Sequence, residues 1–548
     1  MRNRNPSRRH GEPHLAELGR WVATLDERSI PNRARRAAML QVLDMVAAAH
    51  AGARSTDAQA VLAGGAAMAG PGRSTVLGTG KRLAPADALS ANAACSMAQD
   101  FDDIVWMGHT CHSAVFASLA VAEHEGASSS DLITAVVVAN EIGGRLGASC
   151  LLGPLNGQMW TFVHLVAAAA ATARLLGLDD QRATHALAIA LAQPPFPLQP
   201  GFLAPTSKLL AAAIPAVTGM QAAYMARAGI TGAPDILEDR RGFLHRFSYL
   251  PLPVMLGGLG EHWVMETLQV KSYPGCHYFQ TACAALEALT RELGALTPGD
   301  VRRIRIDTTK LGAEVSRFGC DYTGEEAVTP VNACFDLATA AAIVLAGGGQ
   351  FTAEQTDQPW LEAHATEVER WRARIAVRHD PELTSRIIDS TQALPSGKLA
   401  LRSIGARDAL TLRRRYRDEY RSSLISGSEL KAWLGAMGRR VASRRVRGHA
   451  ASSGPVALAF PNRVTLELAD GRTLIEQRDL PPGSFGSPGM KRTLETKFLR
   501  EVAPTLGSDR AREAFALGLR LDETPLAELV AACVATNATE SGDAATPA

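Results

Sequence analysis

Six carboxylate, imidazole or ammonium side chains stand in two short runs of this 548-residue chain. Asp100, Asp102 and Asp103 sit in a DFDD segment, followed by Gly108-His109; Lys271 opens the segment KSYPGCH, which ends at His277. Long Ala-rich stretches flank both runs. Lysines, histidines and carboxylates set among small-residue helices predict a charged pocket in an apolar body, the setting that proton chemistry on an acidic small molecule requires. An imidazole moves protons near neutrality, and a carboxylate beside it fixes its tautomer. His109 with Asp100 suits that pairing. Lys208 opens an apolar helical stretch, where a solvated cation opposes the helix dipole; with Lys271 it could bind carboxylates and stabilise negative charge as it develops. A plainer role is open for each group: the aspartates as helix caps or surface ion pairs, His109 as a loop histidine, and Cys276 and His277 as packing or capping groups.

The elements around these residues change character once along the chain. From about 15 to 270 the period is helical. Met39, Val42, Leu43, Val46 and Ala47 make one apolar face with Asp44 opposite, and segments 87–100, 112–125, 130–150, 160–178, 181–193 and 208–228 follow the same style. After Lys271 and a helix at 277–294, the period drops to two in 301–307, 374–378 and 463–469, with an Asp470-Gly471 hairpin turn before 473–476. The fold expected is mainly α: a helical domain over 15–270, completed by C-terminal helices at 486–535, and a smaller α+β lid domain over 271–485.

A basic block, 386–454, looks inserted in the second domain. It holds fifteen Lys or Arg against five Asp or Glu, so the rest of the chain is net acidic although the whole carries only +2. A solvated helical hairpin at a subunit contact accounts for it more simply than a phosphate-rich partner, because no base-reading element accompanies the charge. With 46% hydrophobic and 20% charged residues the chain suits a globular enzyme, with no nucleic-acid or membrane partner advertised. The apolar run 163–178 contains His164 and Arg174 and is too short to span a bilayer. The arginine-bearing N-terminus lacks the apolar core of a signal peptide. Eight cysteines form no CxxC pair or zinc spacing, and read as reduced thiols of a cytoplasmic protein.

These segments resemble the MmgE/PrpD family, which includes 2-methylcitrate dehydratase and cis-aconitate decarboxylase. The likeness runs through Val42–Ala47, Ala91–Ala94 with Asp100–Asp103, Gly108-His109, Glu141 to Gly147, Leu175–Leu178, Lys208 to Gly219, Lys271 to His277, and Phe460-Pro461 to Gly471. The resemblance implies a helical domain with an α+β lid, a homodimer, no metal or other cofactor, and an interdomain pocket for a polycarboxylate. Position by position it assigns Asp100 and His109 to catalysis and Lys208 and Lys271 to the pocket lysines. It also marks departures: Ile104 where the family has threonine, Gln158 where it has a second histidine, Thr339 where it has a lid tyrosine, and Asp336 where it has serine. Asp103, Ile104, Gln158, Thr339 and His277 are thus expected to shape substrate binding. The basic block has no counterpart. The leading expectation is a lyase that dehydrates or decarboxylates a carboxylated small molecule. Two others stay open: a relative diverted to isomerisation, epimerisation or specialised metabolism, which the departures favour, and an inactive binding or scaffold protein using the basic block.

Overall fold

Small residues decide how closely the helices approach. In the computed structural model, which describes residues 11–157, 161–203, 205–321, 328–420 and 457–535, a Cβ added to Gly52 would lie 1.7 Å from the carbonyl oxygen of Cys95. The helices Asn32–Ala53 and Pro85–Met97 therefore pack nearly backbone to backbone. Likewise a Cβ at Gly219 would lie 2.1 Å from the Leu165 carbonyl, which seats the helix Leu210–Arg227 against Phe162–Leu175. Around these contacts the helices of the first half, Met490–Leu506 and Ser508–Gly518 share one core. Close packing buries the helix Asn32–Ala53 on nearly every side, and Asp44, read from the sequence as facing away from the core, is fully buried.

The molecule is mainly α with a smaller α+β part. Its largest sheet has strand order β6-β5-β7-β8, with β5 (Val301–Thr308), β6 (Ile375–His379), β7 (Asn462–Leu468) and β8 (Thr473–Arg478). β5 and β6 run parallel, and β7–β8 is the hairpin whose turn needs Gly471 at φ +91°. Ile304, Ile306, Val464 and Leu466 point into a second core shared with the helices Gln280–Leu293 and Leu337–Ala346.

Two boundaries differ from the sequence reading. A hairpin of β1 (Pro71–Thr75) and β2 (Arg82–Leu83) interrupts the stretch read as helical. It is stitched to neighbouring helices by Glu123, which accepts from both the amide and the hydroxyl of Thr75, and by Asn92, which donates to the Thr75 carbonyl. The span 271–485 is also not one unit. Leu394, Ala400, Ile404 and Leu458 join the first core. The described part of the basic block is helical and turns Arg402, Arg407, Arg414 and Arg417 to solvent, while Tyr416 donates to the Gly153 carbonyl and Tyr420 accepts from the Leu155 amide, which anchors it to the helical body. The remainder of the block, 421–454, and Gln158 lie outside the described residues.

Candidate active site

A three-stranded sheet of two-residue strands brings the distant sequence segments together. β3 (Asp103–Ile104) pairs with β4 (Gln269–Val270), which pairs with β9 (Gly483–Ser484), and the register sets Asp103 opposite Val270 and Ile104 opposite Gln269. The acidic run and Lys271 must therefore meet. Just before β3 the chain turns sharply: Asp100 has φ +51°, a left-handed conformation rare for a residue with a side chain. That turn aims both the carbonyl and the carboxylate of Asp100 at Lys271.

The lysine ammoniums are buried and ion-paired. Lys271 donates to the Asp100 carbonyl at 2.7 Å, to Asp100 Oδ2 at 3.1 Å and to Asp102 Oδ1 at 2.8 Å, which uses all three of its protons. Lys208, delivered by the turn Thr206–Leu209, donates to Asp100 Oδ1 at 2.8 Å. Lys208, Lys271, Asp100 and Asp102 are each at most 1% exposed. Burial opposes ionisation of Asp100, yet Lys208 and Lys271 together hold its carboxyl below the usual range. Burial likewise works against the Lys271 ammonium, and Asp100 and Asp102 outweigh it, raising its pKa.

His109 is bound to Asp102, not to Asp100. Its Nδ1 lies 2.7 Å from Asp102 Oδ2. The sequence pairing fails because Asp100 is already taken by two ammoniums, whereas Asp102 offers one oxygen to Lys271 and the other to His109. Against burial, Lys271 and His109 hold the Asp102 carboxyl well below its ordinary value, so it is an acceptor only. His109 must then donate from Nδ1, which leaves Nε2 as the basic nitrogen of the neutral ring. Burial depresses the His109 pKa, and Asp102 only partly offsets it. With 12% of its side chain exposed, His109 is the member of this group that reaches toward solvent.

Other imidazoles gather behind the pair. His112 Nε2 is 3.5 Å from Asp102 Oδ2, and the His164 ring stands edge-on to His112 at 5.7 Å. His277, from the KSYPGCH segment, donates from Nε2 to the Gln269 side-chain carbonyl at 2.7 Å, while its Nδ1 is buried with no hydrogen-bond partner among the described residues. Burial, then the charge of Lys271, hold its pKa well down. A further ion pair lies beneath: Lys497 of the helix Met490–Leu506 donates to Asp44 at 2.7 Å and also to the Phe101 carbonyl. Asp102, Cys111 and His112 bring donor atoms within 4.8 Å of one another. Asp102 is, however, already shared by Lys271 and His109, and burial next to Asp103 and Asp102 keeps the Cys111 thiol protonated. We therefore assign no metal to these three.

The structure thus gathers Asp100, His109, Lys208 and Lys271, with His277 alongside, into a closed, buried cluster. Two open clefts, of about 500 and 600 Å³, lie elsewhere, beside Arg303 and beside Ser129. Asp103 faces inward and accepts from Gln41 Nε2 at 2.8 Å, so it is no substrate contact in this arrangement. Ile104 is 9% exposed and belongs to the first core. Thr339 is engaged in a different network, because Asp336 caps the helix Leu337–Ala346, accepts from the Thr339 hydroxyl at 2.6 Å and pairs with Arg372 at 3.1 Å. Sequence reading missed the pairing role of Asp102 and missed Lys497 altogether. The available signal for Lys497 was a charge on the stripe of Met490, Leu494, Phe498 and Val502, where a solvated lysine has no place.

The chain is 28% identical over 295 residues to cis-aconitate decarboxylase of Aspergillus terreus, covering 50% of this chain and 60% of that protein. It is 27% identical over 304 residues to the cis-aconitate decarboxylase-like protein oryM of Aspergillus oryzae, covering 50% and 61% respectively. The match therefore spans about three fifths of the length of these relatives. Residues 16–251 match the MmgE/PrpD N-terminal domain, so this part of the chain is similar to that family.

Proposed function

We propose that this protein is a lyase that dehydrates or decarboxylates a carboxylated small molecule by acid/base chemistry of its own side chains. The observation that carries the reading is the His109–Asp102 contact of 2.7 Å, set above a buried group of two lysines and two carboxylates. His109 Nε2 is the proton-transfer atom. In an elimination it would take the proton from the carbon beside a carboxylate while the hydroxyl group leaves from the neighbouring carbon. In a decarboxylation the C–C bond to CO₂ breaks, the electron pair stays on carbon, and His109, having first taken a proton from solvent at Nε2, delivers it to that carbon. Lys271 acts through the aspartates it binds, since all three of its protons are committed, and its positive charge and that of Lys208 favour the anion that develops above them.

The names of the relatives support a carboxylate substrate, with cis-aconitate as the first acid to assay. The reading includes a cofactor-independent homodimer in the cytoplasm, which light scattering of purified protein and metal analysis check. The deciding experiment offers a panel of di- and tricarboxylic acids to purified protein, follows products by NMR, and repeats the assay with His109→Asn. Turnover that falls about 10²–10⁴-fold in the variant is expected. No turnover of any acid, with no ligand-induced rise in melting temperature, refutes the lyase reading.

A further inference from the structure

Four carboxylates are buried in one connected region: Asp44, Asp100, Asp102 and Asp103, each 0% exposed. Among the described residues only three ammoniums are buried with them, Lys208, Lys271 and Lys497. With the imidazoles uncharged, ionisation of all four acids would leave one uncompensated negative charge in the interior, which is strongly unfavourable. The contacts show where compensation fails. Asp44 receives Lys497 at 2.7 Å, Asp100 receives Lys208 at 2.8 Å, and Asp102 receives Lys271 at 2.8 Å. Asp103 receives only the neutral amide of Gln41, and its Oδ2 is buried with no hydrogen-bond donor among the described residues.

We propose that Asp103 is a neutral carboxylic acid in the folded protein, a positioning group that brings the buried charge count to zero and leaves His109 as an uncharged base. The surroundings on every side fit a neutral group. From the helix Asn32–Ala53 come Gln41 and the Asp44 carboxylate; from the helix Ser129–Ser149 comes Asn140, hydrogen-bonded to both Gln41 and Thr110. The helix Cys111–Glu125 supplies the Cys111 thiol, which donates to the Asp103 backbone carbonyl at 3.4 Å. Lys497, the one ammonium on this side, is held by Asp44 and the Phe101 carbonyl. Burial, followed by repulsion from Asp44, pushes the Asp103 carboxyl well above its usual range, in accord with this geometry. One link to the chemistry follows. If Asp103 were ionised, the extra negative charge beside Asp102 would draw a proton onto His109 and remove the free base with which an elimination begins.

The test needs no substrate and reads the protonation of Asp103 alone, whereas the lyase reading is decided separately by turnover of the acid panel. A carboxyl that keeps its proton in the folded state and loses it in the unfolded one lowers stability as pH rises, by about tenfold in the unfolding equilibrium constant per pH unit above about pH 4. Asp103→Asn is the neutral isostere and lacks this slope. Urea unfolding across that range should give matched constants for wild type and variant near the ordinary carboxyl pKa. The variant should then gain relative stability steadily until Asp103 itself ionises. A variant that loses relative stability as pH rises, or that does not fold, overturns the proposal. Infrared difference spectra provide a second readout: a protonated-carboxyl band at neutral pH should be present in the wild type and absent from Asp103→Asn. No such band in the wild type would place the compensating proton on His109 or His112 instead and overturn it.

Discussion

Replacing Asp102 with asparagine should separate the chemistry of the site from its folding. Asp102 Oδ1 accepts from Lys271 at 2.8 Å and Oδ2 from His109 at 2.7 Å, with both oxygens buried. An amide of the same shape offers one acceptor and one NH₂ group, so one of the two existing donors must face another donor. If the amide oxygen stays on Lys271, the NH₂ group faces His109 Nδ1. The ring must then give up its Nδ1 proton and carry it on Nε2, the nitrogen required as base. Loss of a positioned base costs about 10²–10⁴-fold in rate, and a carboxylate-to-amide change beside a catalytic histidine sits near the upper end of that range. The stability cost should be smaller than the 3–5 kcal/mol of a fully broken buried pair, because Asp100 still holds Lys271 at 3.1 Å. The assay is kcat/KM on the best acid from the panel, beside circular dichroism and thermal unfolding of the same preparation. A folded Asp102→Asn protein with an undiminished rate would refute the assignment of His109 Nε2 as the proton-transfer atom.

Three further outcomes follow from the same geometry. Because burial depresses the His109 pKa, the acid limb of kcat/KM should have its midpoint below the ordinary histidine value of about 6.5; a midpoint above it contradicts the neutral-base reading. Lys497→Met removes the partner of Asp44, whose carboxyl burial already pushes up to about 6. The loss should approach 3–5 kcal/mol at alkaline pH and shrink on acidification as Asp44 takes a proton, and adding Asp44→Asn should recover part of it in urea titrations. Gly219→Ala would place a methyl group 2.1 Å from the Leu165 carbonyl and should destabilise by roughly 1–3 kcal/mol, read as a fall in melting temperature; an unchanged melting temperature would mean that the two helices part at little cost.

By itself the sequence determined the helical body, the switch to strands after Lys271, the Asp470-Gly471 hairpin and the residue types of the site, because each is a local signal. A 3.6 or 2.0 period, a glycine that can adopt positive φ, or a lysine on an otherwise apolar stretch can be read without knowing what lies across the interface. It was also enough to single out Asp100, His109, Lys208 and Lys271 before their contacts were visible. Which carboxylate serves which cation was decided only by the tertiary structure. Asp100 and Asp102 are two residues apart and chemically identical, and the left-handed turn at Asp100 together with the β3–β4 register gives Asp100 to both lysines and shares Asp102 between Lys271 and His109. The same holds for Asp44 and Lys497, brought together across 453 residues of chain. Amphipathic patterning assigns a charge to solvent, and only close packing of helices around it turns that charge into a buried, ion-paired group.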